Sequence, residues 1–214
     1  MKIAIAGGSG KVATRLTRLL TARGDEVRSL IRDASKADRV RESGGEPVEC
    51  DLEQAGEDEV AAAVGAVDAV VFAAGAGAGS GAERKRTMDY EGAVKLIAAA
   101  RANGIDRYVM VSSIGADPGA RGDDTSAVYL QAKGKADAEL QSSGLDYTIV
   151  RPTLLTDDPG SGRVKVGGQV GRGEIPRDDV AAVLAATLHT PNTIGMVFEV
   201  RDGDTPIDEA VAAS

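Results

Sequence analysis

The apolar residues of this chain follow two kinds of spacing, which alternate along the sequence. Short runs that are apolar at alternate positions or throughout, such as Lys2–Ala6, are typical of strands. Between these runs apolar residues recur three or four positions apart, as Val12, Leu16, Leu19 and Leu20 do, which is typical of amphipathic helices. Strands that alternate with helices predict a parallel sheet with helices on both faces.

We therefore predict the α/β class: one doubly wound, mainly parallel, Rossmann-like domain over residues 1–214, with the core strand order 3-2-1-4-5-6. Residues 153–177 and 190–214 are expected to form a small substrate-side region of this domain. The predicted strands cover residues 2–6, 26–31, 46–50, 68–73, 106–113, 146–150, 163–166 and 196–200. The predicted helices cover residues 11–22, 35–43, 57–64, 82–103, 127–142 and 178–188.

Composition narrows the classes of function. The net charge of −8 argues against nucleic-acid binding through a basic face. No segment approaches the roughly eighteen apolar residues of a membrane helix. The single cysteine, Cys50, excludes an internal disulfide, and the single histidine, His189, excludes a histidine metal cluster. We expect a cytoplasmic protein without a metal, a monomer or homodimer, whose partner is a small-molecule substrate.

Three glycines stand between the first predicted strand and the first predicted helix, in the spacing Gly7-x-x-Gly10-x-x-Ala13 with Gly8 between them. A glycine turn at a helix start places backbone N–H groups and the positive helix end around one point, which suits a phosphate. The spacing is a variant of the dinucleotide fingerprint, with alanine at the last position. The sequence therefore predicts a dinucleotide site at this turn.

The end of the second predicted strand indicates which dinucleotide binds. Arg32 stands where an acidic residue would accept the ribose 2′-hydroxyl of NAD, and Lys36 follows one turn later. Guanidinium and ammonium groups match a 2′-phosphate better, so we predict NADP(H) as the cofactor. Asp33 comes directly after Arg32, which leaves NAD(H) as the alternative.

The ends of the third and fourth predicted strands supply further candidates, because ligands of open α/β sheets collect at the carboxyl ends of strands. Asp51 and Leu52 follow the third strand, and Asp51 is equally well interpreted as a helix N-cap. Ala73, Ala74 and Gly75 follow the fourth strand. Their small size permits close backbone approach to a bound nicotinamide.

Two polar residues, Ser112 and Ser113, end the fifth predicted strand. On the helix that precedes this strand, the basic residues Arg84, Lys85 and Arg86 are interpreted as a solvated face.

Tyr129 and Lys133 are four residues apart on a predicted helix, so their side chains share one face. A free phenol exchanges protons poorly at neutral pH. A lysine ammonium one turn away favours the phenolate form. This pair, on a helix that follows the Ser112-Ser113 strand end, therefore predicts an acid–base site.

Together these motifs resemble the short-chain dehydrogenase/reductase superfamily, and more closely its atypical NAD(P)H-binding branch. That branch includes nitrogen-metabolite-repressor-like sensors and biliverdin/flavin reductase-like proteins. The resemblance covers nearly the whole chain. The matching segments are residues 7–13, 31–33, 51–52, 72–75, 89–92, 111–116, 129–133 and 149–152.

The resemblance implies a role for each site residue. Tyr129 would donate a proton, Lys133 would hold the nicotinamide ribose, and Ser113 would polarise a substrate carbonyl. Arg32 would hold the 2′-phosphate, and Asp51 with Leu52 the adenine. The remaining implied cofactor contacts are Gly7, Gly8, Ser9, Gly10, Lys11, Val12, Ala73, Ala74, Gly75, Ser112, Pro152 and Thr153.

The chain departs from the family pattern after Arg151-Pro152, where Thr153 replaces the usual glycine. The insertion of the extended, sugar-modifying members is also missing. We expect an NADP(H)-dependent oxidoreductase that transfers hydride between nicotinamide and a small carbonyl, quinone or flavin-like substrate. The alternatives are a non-catalytic NADP(H)-binding redox sensor that acts through a protein partner and, third, a nucleotide-sugar epimerase or dehydratase.

Overall fold

The computed structural model describes residues 1–77 and 79–214, which build one nine-stranded sheet with helices on both faces and a small two-stranded sheet beside it. The strands are β1 Lys2–Ala6, β2 Glu26–Ile31, β3 Glu46–Glu49, β4 Ala69–Phe72, β5 Arg107–Val111, β6 Asp146–Pro152, β7 Leu154–Thr156, β8 Arg163–Gly167, β9 Glu174–Pro176, β10 Met196–Asp202 and β11 Thr205–Pro206. In the main sheet they run in the order β11-β8-β10-β6-β5-β4-β1-β2-β3.

The predicted core order 3-2-1-4-5-6 is confirmed, and all its strands are parallel. β10 continues the sheet beyond β6 as a further parallel strand. β8 and β11 then add antiparallel pairings at the edge. The carboxyl ends of the parallel strands therefore meet at one edge of the sheet, as the doubly wound fold requires.

The helices follow the predicted positions closely, with one local exception. The predicted helix 82–103 changes its winding, because a π-helical segment, Lys85–Gly92, separates α4 from α5. The helices are α1 Lys11–Ala22, α2 Ala37–Arg41, α3 Glu57–Val64, α4 Ala82–Arg84, α5 Ala93–Ala102, α6 Thr125–Ser142, α7 Arg177–Leu188 and α8 Ile207–Ala212. Single 3₁₀ turns occur at Ala34–Lys36 and Pro191–Thr193.

The core lies in two layers, one on each face of the sheet, and β1 contributes to both. Ile3 and Ile5 pack with α1 and α7 on one face. Ala4 and Ala6 pack with α3, α5 and α6 on the other. Alternation along a strand sends successive side chains to opposite faces, so a strand buried on both sides reads as a continuous apolar run.

The C-terminal part of the chain holds elements that the apolar pattern does not predict. β7 and β9 pair in parallel as the separate small sheet, and α8 packs against β8 and α7. In the described part of the chain, no helix is long and apolar enough to cross a membrane.

Candidate functional site

The glycine turn between β1 and α1 makes contacts that leave no room for side chains. Gly7 has a φ of 77°, and a Cβ atom there would lie 2.6 Å from Cα of Ala74. A Cβ atom on Gly8 would lie 2.4 Å from Cβ of Ser29 in β2. The Gly10 N–H donates to the Gly7 carbonyl at 2.8 Å. The turn is therefore pressed against β2 and the end of β4, with α1 starting from it.

A cavity of about 230 Å³ opens in front of this turn at the carboxyl edge of the sheet. It reaches from the turn across the ends of β2 and β4 to α4 and the π-helical segment. Its lining comprises Gly7, Ser9, Gly10, Leu30, Ile31, Arg32, Cys50, Leu52, Ala73, Ala74, Gly75, Arg84 and Met88. Eight of these residues are predicted cofactor contacts.

Arg32 lies at one end of the first cavity, beside an acidic group. Its side chain is 51% exposed, and Nη1 lies 3.4 Å from Oε2 of Glu53. Glu53 also accepts hydrogen bonds from Arg84 Nε at 3.0 Å and from the Thr87 hydroxyl at 2.7 Å. Burial raises the pKa of Glu53, but the Thr87 and Arg84 hydrogen bonds outweigh burial and lower the pKa. Arg32 is therefore positioned by a carboxylate that stays charged.

Leu52 is buried in the wall of the first cavity, whereas Asp51 is turned elsewhere. Oδ1 of Asp51 accepts the Glu53 N–H at 3.0 Å, which closes a local turn. Asp51 lines another cavity of about 610 Å³, which shares Arg32 and Cys50 with the first. The N-cap of α3 is Gly56, so the interpretation of Asp51 as a helix N-cap is wrong.

A second cavity of about 350 Å³ adjoins the first and shares Ala73, Ala74 and Gly75 with it. It continues from the end of β4 to the end of β5, to β7 and to α6. Its other lining residues are Val12, Ala76, Gly77, Lys85, Asp89, Val111, Ser112, Tyr129, Lys133, Leu155 and Arg177.

Lys133 is nearly inaccessible at the inner end of the second cavity, with 3% of its surface exposed. Nζ donates to the Val111 carbonyl at 3.0 Å and lies 3.3 Å from Oδ1 of Asp89. Burial lowers the pKa of Lys133, but the charge of Asp89 and its hydrogen bond outweigh burial and raise the pKa. The lysine is therefore a fixed positive charge near Tyr129.

Tyr129 is half-buried one turn before Lys133 on α6, and a second lysine covers it. Nζ of Lys85, in the π-helical segment, lies 5.1 Å from the centroid of the Tyr129 ring. The same ammonium group donates to the Gly77 carbonyl at 3.0 Å. Tyr129 is thus flanked by two cations.

The two serines at the end of β5 differ in placement. Ser112 is buried and lines the second cavity, and its hydroxyl lies beside the buried carboxyl group of Asp137, where it counters the effect of burial on the pKa of that group. Ser113 does not line that cavity, and its hydroxyl donates to the adjacent Ile114 carbonyl at 3.2 Å. Ser112, rather than Ser113, therefore lines the same cavity as Tyr129.

Pro152 and Thr153 are both buried and line neither of the two cavities. Pro152 ends β6, and the Thr153 N–H donates to the Val200 carbonyl of β10 at 3.0 Å. The Thr153 hydroxyl has no hydrogen-bond partner in the described chain. Gly8 also lies behind the cavity wall, where it packs on β2.

Lys11, the first residue of α1, takes part in an ion cluster at the edge of the second cavity. Its ammonium group pairs with Asp157 in the loop after β7. Asp157 also lies 3.0 Å from Arg177 and 3.9 Å from Arg15. Through these ion pairs, the Asp157 carboxylate links the start of α1, which follows the glycine turn, to the start of α7.

The sequence interpretation missed several residues of the site. Arg84 and Lys85 line the cavities, so their assignment to a solvated face is wrong, whereas Arg86 is 52% exposed as expected. The cause is the π-helical segment, whose winding differs from the helical period used to assign faces. Asp89 lies in residues 89–92, one of the segments that resemble the family, but the sequence did not indicate its role. No local sequence pattern indicated that Arg177 lines the second cavity.

The two adjoining cavities present groups that suit a dinucleotide. A glycine turn at the start of α1 faces the first cavity, where backbone N–H groups suit a pyrophosphate. The buried Ser112 hydroxyl and the Lys133 ammonium group supply polar groups in the wall of the second cavity.

Comparison with known proteins agrees with this geometry. A family model described as NAD(P)H-binding matches residues 7–191. YhfK of Bacillus subtilis (strain 168), described as an uncharacterized sugar epimerase, is 38% identical over 212 residues, which cover 99% of each chain.

Two solved structures are similar over nearly the whole chain. A Bacillus halodurans protein, provisionally named an NAD-dependent epimerase/dehydratase, has 39% identity and a TM-score of 0.92, with 100% of both chains covered. ChuY of Escherichia coli O157:H7, titled an anaerobillin reductase, has 27% identity and a TM-score of 0.77, with 95% of this chain and 98% of ChuY covered.

Proposed function

This chain belongs to the NAD(P)H-binding family, an atypical branch of the short-chain dehydrogenase/reductase superfamily, and on that premise we propose that it is an NADP(H)-dependent oxidoreductase. Its substrate is a small carbonyl, quinone or flavin-like compound. The observation that carries the proposal is the second cavity. It holds Tyr129, Lys133 and Ser112 together and joins the dinucleotide cavity at Ala73–Gly75.

The first cavity and the glycine turn would hold the adenosine and pyrophosphate parts of the cofactor. Arg32 is proposed as the partner of the 2′-phosphate, because a guanidinium binds a phosphate with two parallel hydrogen bonds. Leu52 supplies an apolar wall for adenine. Arg84, which lines the same cavity, is an additional cation on this side. These contacts support NADP(H) over NAD(H).

The residues of the second cavity would carry the proton chemistry. When bound, the reduced nicotinamide supplies a hydride to the carbonyl carbon of the substrate. Tyr129 gives the phenolic proton to the carbonyl oxygen, which becomes the hydroxyl of the product. The positive charge of Lys133 stabilises the phenolate that remains. Water or buffer returns a proton to Tyr129 after the product leaves.

Ser112 is proposed as a hydrogen-bond donor inside this cavity, because it lines the wall together with Tyr129 and Lys133. The polarising role expected of Ser113 requires its hydroxyl to leave the Ile114 carbonyl. Asp89 would act as a positioning residue that holds Lys133 in place.

Epimerisation is the second candidate, because the names of two relatives refer to it. The two reactions differ in their cofactor balance. An oxidoreductase consumes one NADPH per product molecule, whereas an epimerase returns the cofactor to its starting state within each turnover.

The test is a substrate panel with the purified chain. NADPH consumption is measured with aldehydes, ketones, quinones and free flavin, and UDP-sugars are followed by NMR for a change of configuration. Consumption of NADPH with formation of the reduced product is expected. Epimerised sugar without net consumption would instead establish the second candidate. Tight NADPH binding in calorimetry without turnover of any compound would indicate a redox sensor.

A further inference from the structure

The wall of the second cavity carries positive charge that the proposed proton transfer does not use. Lys133 is paired with Asp89 at 3.3 Å, so these two charges offset each other. Lys85 and Arg177 line the same cavity and add two further positive charges. The whole chain has a net charge of −8, so this local excess is opposite in sign to the rest of the molecule. A cavity with such a field concentrates anions.

Arg177 belongs to the dinucleotide side of the cavity. Its guanidinium lies 3.0 Å from Asp157, the same carboxylate that pairs with Lys11 at the start of α1. Arg177 therefore belongs to the cations around the glycine turn. Its positive charge is explained by the pyrophosphate of the cofactor and does not require an anionic substrate.

Lys85 lies on another element and has a different environment. Its neighbours Arg84 and Arg86 each form an ion pair, with Glu53 and Glu83 respectively. The Lys85 ammonium pairs with no carboxylate of the described residues within 4.0 Å, and its one hydrogen bond in this part of the chain is to the Gly77 carbonyl. An ammonium group has three donors, so two remain.

The position of these free donors relates them to the reacting group. Nζ of Lys85 lies 5.1 Å from the centroid of the Tyr129 ring, and both residues line the second cavity. The apolar part of the wall is built from small and aliphatic residues, which include Ala73, Val111 and Leu155. The cavity therefore offers an apolar surface together with a cation close to the ring of the proposed proton donor.

We propose that Lys85 binds the carboxylate of the substrate, so that the substrate class is a compact carbonyl compound with an acidic group. This inference rests on the proposed function. Lys85 fixes the acid end of the molecule, and the apolar body then presents the carbonyl group to Tyr129. A carboxylate–ammonium contact is charge-assisted and gives orientation as well as affinity.

A matched pair of aldehydes tests the inference. 4-Carboxybenzaldehyde and methyl 4-formylbenzoate have the same reducible group, and only the first has a carboxylate. We expect Lys85→Gln to raise KM for the acid about tenfold, the effect of one partly exposed charged hydrogen bond. KM for the ester should stay unchanged in Lys85→Gln. In Lys85→Arg, KM for the acid should return close to the wild-type value.

Arg86→Gln is the matched control, because it removes one positive charge from the adjacent, exposed position. We expect it to change neither KM. Equal losses for both aldehydes in Lys85→Gln would mean that Lys85 acts through Tyr129 alone, and would overturn the inference.

A binding measurement separates this inference from the proposed function. Benzoate and benzamide are titrated calorimetrically into the protein in the presence of NADP⁺, with wild type and Lys85→Gln. Tighter binding of benzoate that Lys85→Gln removes supports the carboxylate site even if no aldehyde is reduced, in which case the oxidoreductase proposal fails alone. Equal binding of benzoate and benzamide to the wild type overturns the carboxylate site and leaves the oxidoreductase proposal standing.

Discussion

Lys133 and Asp89 form an ion pair in the interior of the protein, with Nζ 3.3 Å from Oδ1 and side-chain exposures of 4% and 1%. The other carboxylate oxygen of Asp89 accepts the Ala76 N–H at 3.2 Å. One aspartate therefore fixes both the proposed catalytic lysine on α6 and the small-residue loop after β4. The π-helical segment places it there, and such segments are frequent at functional sites.

Removal of Asp89 should destabilise the fold strongly. Asp89→Ala leaves the buried ammonium of Lys133 without its counter-charge, and breaking a buried pair in this way costs about 3–5 kcal/mol. Urea unfolding followed by circular dichroism measures the loss.

The control for this prediction removes both charges. The double variant Asp89→Leu/Lys133→Met has no buried charge left and should recover much of the lost free energy of unfolding. If the double variant is as unstable as Asp89→Ala, the destabilisation does not come from an unpaired charge.

Asp137 should give the protein a pH-dependent stability in the acid range. Burial raises the pKa of this carboxyl group. The Ser112 hydroxyl and Arg151, which donates to Oδ2 at 2.9 Å, offset the effect of burial only in part. A raised pKa in the folded state means that the folded protein binds the proton more tightly than the unfolded chain. This contribution is fully present below the unfolded pKa and is lost as pH rises through the raised pKa.

The contribution of Asp137 is isolated by comparing the wild type with Asp137→Asn. The free energy of unfolding of both proteins is measured in urea from pH 7 down to pH 4. The wild type should gain stability relative to the variant as pH falls through that range. A constant difference between the two proteins would show that the pKa of Asp137 is not raised by folding.

Gly134 should be intolerant of alanine although it lies inside a helix. Helix propensity alone favours alanine by about 1 kcal/mol. A Cβ atom at Gly134 would, however, lie 2.2 Å from the backbone of Asp117 and Pro118, in the loop that packs on α6. We expect Gly134→Ala to lower the free energy of unfolding by about 1–3 kcal/mol.

Gly168→Ala serves as the reference in the same unfolding assay, because no atom of the described residues lies within 4 Å of a Cβ atom there. It should stay close to wild type. Gly134→Ala with wild-type stability would mean that the loop moves away from α6 at little cost.

Arg32 should decide between the two cofactors. Arg32→Ala removes the charged partner proposed for the 2′-phosphate, and we expect NADPH to bind about 10–100-fold more weakly, while NADH binding stays nearly constant. Calorimetric titration of both cofactors measures this. Arg41→Ala removes an exposed positive charge on α2 and controls for the nonspecific electrostatic effect of losing one positive charge. Equal losses for NADPH and NADH in Arg32→Ala would contradict the assignment.

Tyr129 should be needed for turnover but not for cofactor binding. Tyr129→Phe keeps the ring under Lys85 and removes only the hydroxyl. The loss of a general acid lowers kcat about 10²–10⁴-fold. The dissociation constant of NADPH, measured by quenching of its fluorescence, should stay within about twofold of wild type because the hydroxyl is not proposed as a cofactor contact. Unchanged turnover would remove the proton-donor role.

Much of the fold was predictable from short-range patterns. The apolar run of β1 with the glycine turn after it, and the spacing of Val12 and Leu16 on α1, depend on neighbouring residues only. The two-stranded sheet of β7 and β9 was not predictable in this way, because each strand has three residues and gains stability only from its distant partner.

The sequence by itself determined that a glycine turn meets a helix start, that Arg32 follows β2, and that Tyr129 and Lys133 share a helix face. Each is a matter of local spacing. Only the tertiary structure decided that Asp89 forms an ion pair with Lys133, that Lys85 covers Tyr129 and that Ser112 rather than Ser113 lines the same cavity. These contacts join residues far apart in the chain, and the π-helical winding that sets the register of Lys85 and Asp89 leaves no periodic signal in the sequence.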